Sequence, residues 1–396
     1  MQKFDFYSPT KILFGAGREE EVGAQVAAFG GKKALIVFGG QSALKSGLID
    51  RVEASLKAAG IESLRLGGVH PNPLLSRAYD GIKMALENGV DFLVAVGGGS
   101  VIDTAKGIAI GAGNPDVDIW DVWTKGAAYG KVLPIGVILT ISAAGSETSD
   151  SVVLTNDADN MKRGHNSDKI RPRFAIMNPE LTYTLPMFQV TCGIVDIMMH
   201  TLERYFNPIT SNELTDEIAE GLLRTVLKAG KAAYADKTDY QAMSELMWAG
   251  SLSHNNLTGL GGGKDFASHQ LGMALGGMYD SAHGATLSAV WCSWARYCLD
   301  TNPERFARMG RKVFGLATED LPAHEAGLQA IAAMEDFFRY LKMPTCLAEL
   351  GIGVQSEEQL RTLARRCSYF GTRTIGQFRK LDEEDIYNIF VMSNKQ

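Results

Sequence analysis

The sequence predicts an α/β N-terminal half followed by an all-helical C-terminal half. Short β-branched apolar runs alternate with helical stretches up to about residue 185, and the clearest of these runs end in glycines. Beyond Thr184-Leu185-Pro186 the pattern becomes amphipathic helix without a convincing strand. The boundary therefore falls near residue 185, giving domains 1–185 and 186–396.

Ala34-Leu35-Ile36-Val37-Phe38 and Phe92-Leu93-Val94-Ala95-Val96 read as buried strands of a parallel sheet. Gly39-Gly40 follows the first and Gly97-Gly98-Gly99 the second, marking strand-to-helix turns. Residues 132–139 read as a third apolar strand. Val152-Val153-Leu154 and Phe174-Ala175-Ile176-Met177 bracket a basic stretch, from Lys162 to Arg173, expected as a hairpin or long loop with mostly solvated charges. In the second half, 190–206, 215–234, 240–256 and 324–341 read as helices of ordinary length.

A chain of 396 residues with 45% apolar content can bury a large core. Its net charge of −6 offers no basic footprint for nucleic acid or an acidic membrane, so a small molecule or another copy of the chain is the expected partner. Residues 1–6 lack a long apolar run, and stretches such as 92–96 are too short to span a bilayer. Five cysteines without a CxxC pair read as reduced thiols. A cytoplasmic protein is expected.

Asp196 and His200 stand four residues apart in a helical pattern, so both side chains project from one helix face. His269 and His283, fourteen residues apart, supply two more imidazoles. One carboxylate and three imidazoles suit one divalent metal, Zn2+ or Fe2+. Each residue on its own reads equally well as a satisfied structural group.

Gly97-Gly98-Gly99-Ser100-Val101-Ile102-Asp103 follows a strand and leads into a helix from Thr104 onward. Glycines admit close approach of a pyrophosphate, and the helix N-terminus offers N–H groups and a favourable dipole. Ser100 and Asp103 fit a capping box. A tight, well-capped turn with nothing bound fits these residues as well. The Phe38-Gly39-Gly40-Gln41-Ser42 turn carries no acid to bind a free ribose 2′-hydroxyl, and Lys45 is close in sequence, which favours NADP(H) over NAD(H). The polar run Thr140-Ile141-Ser142-Ala143-Ala144-Gly145-Ser146-Glu147 is a candidate lining for the nicotinamide end, or simply a polar loop.

In this order these motifs resemble the iron-containing (group III) alcohol dehydrogenase family, in particular its branch of NADPH-dependent aldehyde reductases and butanol dehydrogenases. The resemblance extends over nearly the whole chain. It takes in Gly68-Val69-His70-Pro71-Asn72-Pro73, the GGGSxxDxAK stretch ending at Lys106, Gly145-Ser146-Glu147, Thr182-Tyr183-Thr184-Leu185-Pro186, the DxxxH helix and Asp280-Ser281-Ala282-His283-Gly284.

The resemblance implies a dinucleotide-binding α/β N-terminal domain, a helical metal-binding C-terminal domain and a cleft between them. Asp196, His200, His269 and His283 match the family's metal ligands. Gly39, Gly40, Ser42, Asn72, Gly98, Gly99, Ser100, Asp103, Thr140 and Lys162 match its cofactor-contacting positions. The implied chemistry is hydride exchange between NADP(H) and a small alcohol/aldehyde pair, with the carbonyl polarised by the ion. A homodimer is also implied.

The sequence departs from the family pattern at a few places. Met273 stands where relatives often carry a second histidine four residues after the third ligand, so no proton donor is assigned. His70, Ala144 and Asn178 replace a common Glu, Thr and Asp. Trp248, Leu252, Phe266, Met273 and Met278 are candidate apolar lining, with core packing as their alternative role. Rival readings are a polyol (glycerol-type) dehydrogenase of the same fold and a non-catalytic binding protein that retains it. A sugar-phosphate lyase would need a cationic cluster, and the ligand neighbourhoods offer only Arg204 and Lys264.

Overall fold

The computed structural model describes residues 2–209 and 212–395. They form two compact units: Tyr7–Leu185, and the chain from Pro186 onward together with the residues up to Phe6.

In the first unit, β1 (Lys11–Phe14) leads to α1 (Val22–Ala28), β2 (Lys33–Phe38), α2 (Ser42–Lys45), α3 (Leu48–Ala58) and β3 (Glu62–Leu66). Then come α4 (Leu75–Asn88), β4 (Phe92–Gly97), α5 (Gly99–Gly113), α6 (Ile119–Lys125), β5 (Ile135–Leu139), β6 (Ser151–Thr155), β7 (Lys162–Asn166) and β8 (Phe174–Met177). Six strands make one parallel sheet in the order β1-β8-β5-β4-β2-β3.

Central strands β4 and β5 are buried along their whole length, as two-sided coverage by helices requires. On one face, Val22 and Val26 of α1 and Ile49, Val52 and Leu56 of α3 pack with Ala34, Ile36, Phe38, Phe92, Val94 and Val96. A second cluster joins Leu75 and Ala78 of α4, Ile110 of α5, Ile119 and Val122 of α6, and Val152 and Leu154 of β6. The chain goes from β2 out to β3 and then back past β2 to β4, so the topological switch point lies between β2 and β4. Ligands of open α/β sheets bind at such a point, beyond the strands' carboxyl ends.

One local expectation is corrected and two are refined. The third strand begins at Ile135, not Val132, because Pro134 has no N–H to donate to a ladder. The basic stretch is a hairpin in which β7 pairs antiparallel with β6, while Phe174–Met177 enters the main sheet between β1 and β5. Within that stretch Arg171 is not solvated: its side chain is 2% exposed and meets Asp168 and Asp150, and Nη1 donates to the Thr148 carbonyl.

The second unit comprises α7 (Met187–Tyr205), α8 (Glu213–Ala235), α9 (Tyr240–His254), α10 (Ala267–Tyr279), α11 (His283–Cys298), α12 (Pro303–Phe314), α13 (Ala323–Tyr340), α14 (Glu357–Cys367) and α15 (Glu383–Ser393). Among the described residues it contains no strand, only a bridge between Ile375 and Leu381. Helix α7 is buried on nearly every side from Val190 to Tyr205, which marks it as the centre of this unit. It packs against α8, α9, α10 and α11.

Candidate metal centre and nucleotide-binding turns

One turn apart on α7, Asp196 and His200 are each 4% exposed. His269 lies in the first turn of α10, and His283 is the first residue of α11. Three elements thus carry the four side chains to one place. The Nε2 atoms of His200, His269 and His283 lie 3.4, 3.7 and 3.7 Å from Asp196 Oδ1. That oxygen is buried and makes no hydrogen bond among the described residues. One ligand atom each from Asp196, His200 and His269 lies within 4.8 Å of the others. His283 completes the ring from its more open side, with its side chain 30% exposed.

A bare buried carboxylate oxygen facing three imidazole nitrogens is expensive unless a cation or protons sit among them. Burial together with the rings of His254 and His269 drives the pKa of His200 well below its usual value, so this ring is held neutral with a lone pair to give. For His269 burial opposes charging, but the carboxylates of Asp196 and Glu203 outweigh it and raise its pKa. A donor set of one carboxylate and three imidazoles fits a divalent ion of the Zn2+ or Fe2+ type.

Three further side chains surround these rings. His254, at the end of α9, stacks on His200 with centroids 4.0 Å apart. Phe266, the backbone N-cap of α10, sets its ring 5.2 Å from that of His269 and 6.0 Å from that of His200. Glu203 Oε1 lies 2.9 Å from His269 Nδ1. Glu203 extends the α7 face in an i, i+4, i+7 series with Asp196 and His200, a spacing that could have drawn attention to it. His254 and Phe266 arrive through tertiary packing, which spacing does not show. Of the other apolar candidates, Trp248 is 41% exposed and Met273 half-buried.

In the α/β unit the nucleotide candidates gather at the carboxyl ends of neighbouring strands. Gly39, Gly40 and Ser42 follow β2, Gly98, Gly99 and Ser100 follow β4, and Thr140 follows β5. Helix α5 begins at Gly99, five residues before the expected Thr104. Ser100 is therefore inside the first turn and the expected capping box does not form. Gly98 is the N-cap and contributes no side-chain hydrogen bond, while Asp103 Oδ2 accepts from Val153 N of β6.

Val101 N and Ile102 N donate to the Gly98 carbonyl, while the N–H groups of Gly99 and Ser100 precede the first such bond and suit a phosphate. A Cβ at Gly98 would come within 2.1 Å of Ile141 Cγ2, so a larger residue fits this turn only if Ile141 shifts. Lys162 Nζ donates to Asn72 Oδ1 at 2.9 Å, which joins two more of the candidates. Burial raises the Asp103 pKa to about 6 against the opposing charge of Lys106. Asn178 is a buried cap that accepts from Glu180 N and donates to Glu19 Oε2, so its exchange for an acid acts on the fold of this turn. His70 and Lys45 are exposed.

Comparison with known proteins agrees with both halves of this picture. Residues 9–179 match the iron-containing alcohol dehydrogenase family model, and residues 190–393 match the model for the C-terminal region of the Fe-containing alcohol dehydrogenase family. The NADH-dependent butanol dehydrogenase A of Clostridium acetobutylicum is 38% identical over 394 residues, 99% of this chain and 100% of the relative. The NADPH-dependent aldehyde reductase YqhD of Escherichia coli is 33% identical over 379 residues, 95% of this chain and 96% of the relative. The crystal structure of NADH-dependent butanol dehydrogenase A from Thermotoga maritima superposes with a TM-score of 0.95 at 34% identity, covering 100% of this chain and 99% of the other.

The chain belongs to the iron-containing alcohol dehydrogenase family. It is a metal-dependent alcohol/aldehyde oxidoreductase that uses a nicotinamide cofactor.

Proposed function

We propose that the chain reduces small aldehydes, and in reverse oxidises the corresponding alcohols, with NADP(H) and one divalent ion held by Asp196, His200, His269 and His283. The observation that carries this reading is the convergence of three Nε2 atoms on the unbonded, buried Asp196 Oδ1. When bound, the ion supplies Lewis-acid polarisation of a substrate oxygen and the nicotinamide supplies or accepts hydride.

The chain's own residues do the positioning. Asp196 offers the one carboxylate donor, and the rings of His200, His269 and His283 complete the donor set from α7, α10 and α11. Phe266 gives the His200 and His269 rings an apolar wall that excludes water from that side. Gly98, Gly99 and Ser100 offer backbone N–H groups to a pyrophosphate. Gly39, Gly40 and Ser42, with Asn72, Asp103, Thr140 and Lys162, line the rest of the nucleotide's path. Met273, four residues after His269, offers no exchangeable proton, so the proton's source is placed elsewhere.

Preference for NADP(H) rests on the turn after β2, which has no acid for a free 2′-hydroxyl and places Lys45 exposed at the end of α2. The relatives' names include both cofactors, so the turn chemistry is what supports this preference. A cytoplasmic location is supported by five free cysteines, a set suited to a reducing compartment. No helix among the described residues is long and apolar enough to cross a membrane. A homodimer is supported by the edge position of β1 and the exposed Phe4, Phe6 and Tyr7 just before it.

The test is NADPH against NADH oxidation with butanal, glyoxal-type and aromatic aldehydes, using protein reconstituted separately with Fe2+ and Zn2+. The reading expects aldehyde-dependent oxidation only with metal present and faster turnover with NADPH. Equal or better use of NADH overturns the cofactor preference. Metal-independent turnover overturns the site.

A further inference from the structure

Helix α10 starts without a cap of its own. Its N-cap residue, Phe266, has φ +54°, a left-handed conformation unfavourable for a bulky residue, and makes no side-chain capping bond. Two carboxylates supply what is missing. Asp265 Oδ1 accepts from Gln377 N and Phe378 N at 2.7 Å each, and Oδ2 accepts from Ala267 N. From α7, Glu203 Oε1 accepts from the backbone N of His269 at 2.9 Å and from its ring Nδ1 at 2.9 Å. The Glu203 backbone carbonyl also accepts from Asp265 N at 2.7 Å. The side chain of Glu203 is 3% exposed.

A single buried carboxylate oxygen thus fixes both the backbone and the ring of one residue. An ionised carboxylate only accepts, so the ring must place its proton on Nδ1. The bare lone pair is then on Nε2, the atom that faces Asp196 Oδ1 and lies 3.3 Å from His200 Nε2. With the opposite tautomer, two lone pairs would face each other in a dry site. Carboxylate–histidine pairs of this kind orient metal ligands and typically change metal affinity 10- to 100-fold.

We propose that Glu203 is a positioning residue for the metal, setting the tautomer and ring angle of His269 while anchoring the N-terminus of α10. This inference rests on the proposed ligand set. It adds that affinity for the ion is built partly by a residue that does not touch it.

The test uses the full chain, stripped of metal and titrated with Zn2+, as wild type and as Glu203→Gln. A Gln amide can present N–H to Nδ1 and favour the wrong tautomer, so the Zn2+ Kd is expected to rise 10- to 100-fold. The absorption of the Co2+-loaded chain is expected to change as well. A variant that binds Zn2+ within about threefold of wild type while its metal-free Tm falls would show a merely structural role and overturn the proposal. Should the variant fail to fold, nitrogen NMR of histidine-labelled wild type, assigned with His269→Gln, decides: Nδ1–H at His269 supports the proposal and Nε2–H overturns it. A wild-type chain that takes up no Zn2+ overturns the ligand set itself, which separates that failure from this one.

Discussion

Replacing Lys106 by methionine removes the last residue of the GGGSxxDxAK stretch while keeping its length and apolar stem. The Lys106 side chain is fully buried, and its ammonium donates to the carbonyls of Ser146, Ser149 and Ser151 at 2.8, 3.1 and 2.7 Å. It also reaches Ser149 Oγ at 3.3 Å. It is thus a brace that ties α5 to the loop leading into β6, not a phosphate ligand. Each buried acceptor left without a donor costs about 1–3 kcal/mol. Part of that sum is returned, because methionine avoids desolvating an ammonium. Breaking a buried charged network from one side nets about 3–5 kcal/mol. For a unit of this size the Tm should fall by roughly 6–20 °C. Urea unfolding followed by circular dichroism measures the loss, with activity at low temperature as a control for folding. A loss below about 1 kcal/mol would refute the reasoning and mean that water or a shifted loop satisfies the three carbonyls.

Burial pushes the Lys106 ammonium down to about 8, from an ordinary value near 10.5. Between those pH values the unfolded chain holds a proton that the folded chain has released, so this group makes stability rise with pH. The stability gap between wild type and Lys106→Met should therefore widen from pH 8 to pH 10 in urea titrations, and a constant gap would contradict the assignment. Gly98→Ala places a methyl 2.1 Å from Ile141 Cγ2 and should cost about 1–3 kcal/mol while raising the KM for NADPH, measured in initial rates. An unchanged KM would remove this turn from the nucleotide site. Lys45→Glu should raise the KM for NADPH more than that for NADH, whereas equal effects on both would leave the 2′-phosphate role without support. Arg171→Met should destabilise by about 1–3 kcal/mol, because it leaves the buried Thr148 carbonyl without its donor and takes the partner from Asp150, while the exposed Asp168 is rehydrated. A neutral outcome in urea unfolding would show that solvent takes over its bonds.

The parts of the fold legible in the sequence are those where burial writes a pattern. Strands β2 and β4 lie inside a sheet covered on both faces, so their residues are continuously apolar. Helices α8 and α13 bury one face each, so their apolar residues recur with the helical period. Strand β7, Lys-Arg-Gly-His-Asn, carries no such pattern, since it belongs to a two-stranded ribbon and is only partly covered. Edge strand β3 contains Glu62 and Arg65 and is similarly hidden. The early start of α5 is masked by glycines that serve close approach, not helix propensity.

At the site, spacing pairs Asp196 with His200 because both lie on one helix. Nothing local ties them to His269 and His283, which come from two other helices; the residue types leave the set open, and the ordered family motifs strengthen it. His254 and Asp265 were beyond reach of any pattern. One acts by stacking, and the other through backbone N–H groups more than a hundred residues along the chain.

The central claim is that four side chains around Asp196 Oδ1 hold one ion on which turnover depends. The most direct measurement is metal content per chain, by elemental analysis, alongside NADPH-dependent aldehyde reduction in wild type and His269→Ala, with circular dichroism to confirm folding. One ion per chain and turnover are expected in wild type, and neither in the folded variant. Turnover retained by His269→Ala with its metal gone would contradict it.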